Sequence, residues 1–319
     1  MRGIPIGASS RRNPSAAHHL LGFLAIVLGV VVLSSRIAIA DTTAQSAPLD
    51  VLGWTEWAPL PDDVGFAGPY GGVSGEALLV AGGANFPGGR PWDGHPKIWH
   101  DRIFVLEEPD GDWRSVESSL PRPLGYGVSL TWPAGDAVVC VGGGDADRHY
   151  RDAFLLRWRD GRIDTELLPP LPTPMAFGCG VLVGDTVFVF GGTDAPDAKQ
   201  CLPGGWALDL ADEGRRWRTL PTFPGLPRQL AMAGTVGGAI YLFGGVGLEV
   251  DAEGRPRRID PYFRDAYRFT PSPHASGSDA TRLPGEWQRV ADLPRPLAGA
   301  PSPALAVGPS HLYLPRRDR

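Results

Sequence analysis

An all-β propeller is the fold class this sequence predicts, on three observations. A double glycine recurs behind an apolar run, a Leu-Pro pair returns about every fifty residues, and a tryptophan precedes most of those pairs. The double glycines are Gly82-Gly83, Gly142-Gly143, Gly191-Gly192 and Gly244-Gly245, each closing a run such as Val187 to Phe190. Glycine suits a strand that ends in a tight turn against neighbouring backbone, because it has no Cβ to collide. The Leu-Pro pairs are Leu60-Pro61, Leu120-Pro121, Leu171-Pro172, Leu226-Pro227 and Leu293-Pro294. Trp57, Trp113, Trp217 and Trp287 stand ahead of them, with Ile163 in the tryptophan place of the third unit.

Each unit runs from Leu-Pro into a strand of small and apolar residues, turns, and continues in the strand that the double glycine ends. A third strand follows a long loop, at Arg102 to Leu106, Ala153 to Trp158, Gly205 to Leu210 and Asp265 to Phe269, and the tryptophan segment supplies a fourth. A twisted four-stranded sheet cannot cover both its faces alone, so such units pack radially about an axis. The tryptophans fill the space between blades, since large aromatics supply much of a core's buried area. Residues 41–314 are therefore expected to form four full blades, two strands of a fifth ending in His311 to Leu314, and an N-terminal closing strand near Trp54 to Ala58. That count is the one expected of a six-bladed propeller truncated at its C-terminus, with 315–319 as a tail.

Residues 1–40 read as a signal peptide. Arg2, Arg11 and Arg12 precede an uncharged run from Leu20 to Ser35, and Ala38-Ile39-Ala40 offers small residues for cleavage before Asp41. The continuous apolar core is about fifteen residues, short of the roughly twenty that a membrane span needs. The expected location is therefore outside the cytoplasm, periplasmic or secreted, with no span left after cleavage. Of the 30 basic residues four lie before Asp41 and none of the 35 acidic ones do, so the rest of the chain is acidic, which gives no reason to expect nucleic acid. Cys140, Cys179 and Cys201 have no metal-type spacing, and the first two fall inside apolar strands as small buried side chains. Nothing in the repeat dictates an oligomeric state.

In this connectivity the loop after each double glycine and the segment entering each innermost strand emerge on one face. Arg122, Arg228 and Arg295 follow Leu-Pro at equivalent places, with Asp62 and Thr173 in the other two units. Three arginines at one repeat position predict a cationic ring able to grip a carboxylate through guanidinium forks; the alternative is that each pairs with neighbouring acids as scaffold. The first long loop offers Asn85, Asp93, His95, Lys97, Trp99 and His100, and the fourth, over 246–264, offers Glu249, Asp251, Arg257, Arg258 and Asp260. Two histidines five apart with a lysine between them make a poor metal site, so no metal is expected. Asp101, Asp152 and Asp265 recur beside the third strands and read as repeat structure.

The repeated double glycine with a later tryptophan resembles kelch-repeat proteins. The loop Gly82-Gly-Ala-Asn-Phe-Pro87, followed by Lys97-x-Trp99-His100-Asp101, resembles more closely the circularly permuted branch of the kelch-type sialic acid mutarotases, also called N-acetylneuraminate epimerases. That family is a six-bladed propeller that interconverts the α and β anomers of N-acetylneuraminate without a cofactor. The resemblance implies an acid/base role for Glu249, which follows Gly244-Gly-Val-Gly-Leu, assisted by Arg264 before Asp265, although the spacing is longer than the family pattern. Asn85, Lys97, His100, Arg122, Arg228 and Arg295 are the expected substrate contacts. A positioned carboxylate removes the anomeric proton while an acid protonates the ring oxygen, a transfer typically worth roughly 10²–10⁴-fold. The other reading is a non-catalytic module of the same repeat that binds a glycan or a protein. A copper oxidase of the galactose-oxidase kind would need ligating tyrosines and histidines, one tyrosine beside a cysteine, and no such set stands out.

Overall fold

The computed structural model describes residues 53, 55–272, 279–299 and 302–314. The expected signal peptide over 1–40 and the tail over 315–319 lie outside the described residues. Four antiparallel four-stranded sheets follow one another along the chain. The first blade is β1 (Tyr70–Ser74), β2 (Ala77–Ala81), β5 (Arg102–Leu106) and β6 (Arg114–Ser119), with a short hairpin of β3 (Ala84–Asn85) and β4 (Ile98–Trp99) between its second and third strands. The second is β7 (Val128–Trp132), β8 (Ala137–Val141), β9 (Ala153–Arg159) and β10 (Arg162–Leu167), and the third is β11 (Cys179–Val183), β12 (Thr186–Phe190), β13 (Gly205–Asp209) and β14 (Arg218–Thr219). The fourth is β15 (Met232–Val236), β16 (Ala239–Phe243), β19 (Ala266–Pro271) and β20 (Gly285–Val290), and its second hairpin is β17 (Leu248–Val250) with β18 (Pro256–Arg258). A two-stranded sheet, β21 (Leu305–Val307) with β22 (His311–Tyr313), stands in the fifth place.

Alternation along the second strands decides which interface each residue fills, because successive side chains point to opposite faces. Val187 and Val189 of β12 pack with Val139, Val141 and Leu155 of the second blade. Phe188 and Phe190, between and beyond them, pack instead with Ala233, Ile240 and Leu242 of the fourth. In the same way Val138 and Cys140 join Leu79, Ile103 and Val105 of the first blade. A strand buried on both faces reads as a continuous apolar run, as these do. The innermost strands β1, β7, β11 and β15 are neighbours in that order, so the blades stand side by side about one axis.

The double glycines have two different jobs. The first closes its own blade: the Gly82 N–H donates to the Arg102 carbonyl at 2.9 Å, as Gly142 does to Asp152, Gly191 to Gly204 and Gly244 to Asp265. The second reaches the next blade: Gly83 donates to Leu124, Gly143 to Met175, Gly192 to Arg228 and Gly245 to Leu297. Both residues take left-handed φ, and a Cβ on Gly82 would lie 2.5 Å from the Leu124 carbonyl oxygen. Trp113, Trp217 and Trp287 are half-buried, whereas Trp57 is 45% exposed and does not fill a space between blades; the three half-buried rings tie the outermost strand to the segment entering the same blade. Trp113 Nε1 donates to Ala58 O at 2.8 Å, Trp217 to Pro169 O at 2.7 Å and Trp287 to Pro221 O at 3.0 Å.

Two expectations need correction. The closing strand near Trp54 to Ala58 is not formed over its described part, where 55–58 carries no strand pairing and Ala58 instead accepts the Trp113 indole of the first blade. Leu226-Pro227 does not take the Leu-Pro place of the fourth blade: Leu226 is 58% exposed, whereas Leu120 and Leu171 are buried and bond through their N–H groups to Asp101 and Arg151. The buried Leu220 does not take it either, because its N–H bonds to Gly205 as that of Leu168 bonds to Ala153. Arg228, which accepts from Gly192 as Leu124 does from Gly83, Met175 from Gly143 and Leu297 from Gly245, therefore occupies the place of Leu124, Met175 and Leu297, not that of Arg122 and Arg295.

Candidate active site

The segments that enter the innermost strands surround an axial cleft of about 1560 Å³. Its rim is a collar of main-chain hydrogen bonds passing from blade to blade. Tyr126 N–H donates to Gly68 O at 2.7 Å, Phe177 to Tyr126 and Leu230 to Phe177 both at 2.8 Å, and Gly299 to Leu230 at 2.9 Å. All five residues hold positive φ, between 54° and 71°. Gly68 and Gly299 adopt that backbone freely, but Tyr126, Phe177 and Leu230 each bear about 1–2 kcal/mol for it. Their side chains line the cleft. Strain of this kind clusters at functional sites. Sequence reasoning passed over these three; the one signal for them was an aromatic or aliphatic residue two places before each innermost strand.

The loops after the double glycines rise at the same end. Each begins with a bridge to the segment entering its own blade, Ala84 to Ala67, Gly144 to Gly125, Thr193 to Ala176 and Val246 to Gln229. In the first blade the hairpin β3–β4 gathers three of the expected contacts. Asn85, 6% exposed, donates from Nδ2 to Gly65 O at 3.0 Å, and its Oδ1 lies 2.8 Å from His100 Nε2. The His100 ring stands edge-on to Phe66, with centroids 5.1 Å apart. Burial, then the Arg102 charge, pushes the imidazole below its usual range, so it is neutral at physiological pH. Lys97 donates to the Tyr126 hydroxyl, and its Nζ is 4.1 Å from that ring's centroid and 5.2 Å from that of Trp99.

The arginines do not form a ring. Arg228, 1% exposed, meets Asp265 through two bonds of 2.6 and 2.8 Å and donates to Gly244 O at 2.7 Å and Leu226 O at 3.0 Å. Phe223 and Phe263 each stand 4.6 Å from its guanidinium carbon. Enclosed and bonded through four of its five N–H donors, it is scaffold beyond a ligand's reach. Arg122 is exposed but pairs with Asp152 at 3.2 Å. The first blade carries the same pair with its signs exchanged, Asp62 with Arg102 at 2.8 Å; Arg102, not Asp101, is the counterpart of Asp152 and Asp265. Arg295 is the exception: it lines the cleft, exposed, with no ion pair among the described residues.

Glu249 and Arg264 are not brought together. Glu249 is on β17, exposed, 2.7 Å from Arg257 directly across the hairpin. Arg264 shares Asp292 with Arg289, at 3.4 and 2.9 Å. No group of three His, Cys, Asp or Glu positioned for a metal occurs among the described residues, and none of their helices is long and apolar enough to cross a membrane.

The family model described as N-acetylneuraminate epimerase matches residues 35–164 and 168–286. The N-acetylneuraminate epimerase of Yersinia pestis (strain Pestoides F) is 36% identical over 132 residues, 35% of this chain and 32% of that protein. That of Brucella suis is 41% identical over 108 residues, 31% of this chain and 26% of that protein. That of Haemophilus influenzae (strain PittEE) is 33% identical over 121 residues, 38% and 29% of the two. The matched parts thus span 32% or less of the length of these relatives. The solved structure of YjhT aligns with a TM-score of 0.64 at 14% identity, over 82% of this chain and 80% of that one, and has the same fold.

Proposed function

The chain belongs to the N-acetylneuraminate epimerase family, and on that premise we propose that it is a kelch-type mutarotase, exported from the cytoplasm, that interconverts the anomers of N-acetylneuraminate or a related acidic sugar. Arg295 carries the reading: an exposed guanidinium on the cleft, without an internal counter-ion among the described residues, suits the carboxylate of such a sugar. Lys97 adds a second cation with no acidic partner among the described residues, beside the same rim. Asn85 and His100 stand behind the rim and set its shape through Gly65 and Phe66.

The proton acceptor in this reading is Glu249, on the hairpin that leaves the Gly244-Gly245 turn at the end of the propeller where the cleft opens, with Arg257 orienting its carboxylate. It takes the proton of the anomeric hydroxyl, the bond from the anomeric carbon to the ring oxygen breaks, and the open ketone rotates and recloses on its other face. Proton NMR of freshly released α-sialic acid tests the reading: the β signals grow faster with the protein than without it. An unchanged rate overturns it.

A further inference from the structure

Tyr126 is the one collar residue that carries a hydroxyl, and the geometry around that hydroxyl is directional. A lysine ammonium has three donors and no acceptor, so in the Lys97–Tyr126 bond the phenol oxygen accepts and its own proton stays available. That oxygen has no other hydrogen bond among the described residues. The ring is held in place by Phe177, with centroids 4.7 Å apart, and by the collar bonds on both sides of its peptide. Tyr126 and Phe177 both line the cleft. The residue is thus a fixed phenol with a free proton, backed by a cation and facing the place where a sugar would lie.

We propose that Tyr126 is the general acid of the reaction, the group that protonates the ring oxygen as the hemiketal opens; this rests on the function proposed above. As the acceptor takes the anomeric hydroxyl proton, the ring C–O bond breaks and its electron pair stays on the ring oxygen. That oxygen receives the phenol proton, leaving an open-chain ketone and a phenolate beside Lys97. After rotation about the adjacent C–C bond the new hydroxyl attacks the ketone, its proton returns to the phenolate, and the acceptor returns its proton to the anomeric oxygen. Protons and electrons balance without a co-reactant. Lys97 neutralises the charge that develops on the phenol oxygen at the moment of transfer, from a position already fixed.

The experiment compares the wild-type chain, Tyr126→Phe and Lys97→Met by the NMR anomerisation assay at several sugar concentrations, with thermal melts of each. Tyr126→Phe keeps the ring, its Phe177 contact and the collar, so the expected result is a fall in kcat of roughly 10²–10⁴-fold, with KM and the melt near wild type. Lys97→Met lowers kcat in the same direction. A Tyr126→Phe chain with wild-type kcat overturns the assignment and leaves the proposed function standing. A wild-type chain without any acceleration overturns the function, and the assignment with it. Should Tyr126→Phe lose its cooperative melt, Lys97→Met decides, because it leaves the collar intact: an unchanged kcat overturns the assignment.

Discussion

Arg228 and Asp265 meet end to end, Nη1 to Oδ1 at 2.6 Å and Nη2 to Oδ2 at 2.8 Å, at a position where the other blades place Phe66, Leu124, Met175 and Leu297. A buried pair of this kind is costly to break from one side, at about 3–5 kcal/mol, because the remaining charge has no water. Asp265→Ala is expected to lower stability by that order. The double variant Arg228→Met, Asp265→Ala restores a side chain already present at Met175 and is expected to recover most of the loss. Chemical denaturation midpoints measure both; a double variant no more stable than Asp265→Ala would refute this.

Acid should destabilise the protein in two windows. Burial holds His100 and His149 below the usual imidazole value of 6.5, so their neutral forms contribute stability that is fully present above pH 6.5 and is lost as pH falls through their folded values. Burial raises the Asp265 carboxyl, but the Arg228 bonds and charge outweigh it and hold the group below 3.8; its contribution is present above that value and disappears as pH falls further. Melting temperatures across this range should fall in both windows. Replacing both histidines by Gln should flatten only the first, and a slope left unchanged below pH 6.5 would remove them as its source.

Glu249→Gln separates catalysis from folding. The Glu249–Arg257 pair is exposed on both sides, and such pairs contribute about 0–1 kcal/mol, so the melt should barely move. The anomerisation rate should fall by roughly 10²–10⁴-fold if Glu249 is the proton acceptor. Retained activity would reject the residue while sparing the fold.

Arg295 and Arg122 sit at one repeat position with different surroundings. Arg295→Met should raise KM about tenfold or more, the loss of roughly 1.5–3 kcal/mol from a charged hydrogen bond, with kcat less affected. Arg122→Met, whose partner Asp152 stands in its own blade, should shift KM far less. Equal effects from the two would restore the cationic ring that the geometry dissolves.

The fold was legible wherever local pattern and burial agree. The third strand of the first blade runs from Arg102 to Leu106, as its apolar run predicts, and the double glycines mark each second strand's end because a Cβ there would collide with neighbouring backbone. Arg228 misled because it follows a Leu-Pro pair, and only the exposure of Leu226 and the Gly192 bond to the Arg228 carbonyl show that it stands in the place of Leu124. Asp101 misled for a similar reason, since one residue of register separates it from Arg102. The missing strand near Trp57 has a physical cause too: strand pairing needs a neighbour with free backbone groups, and what residues 55–58 meet is an indole. Tyr126 escaped attention because its role comes from a collar bond and a lysine in another loop, neither of which leaves a periodic trace.

The collar from Gly68 to Gly299 joins blades through peptide groups alone. At its five positions stand glycine twice, tyrosine, phenylalanine and leucine, so the joint is indifferent to what projects from it. Mechanical continuity and chemical identity are therefore written in separate alphabets at the rim: one in the main chain, the other in the side chains. A propeller built this way can exchange one sugar for another by editing the second text while the first keeps every blade in line.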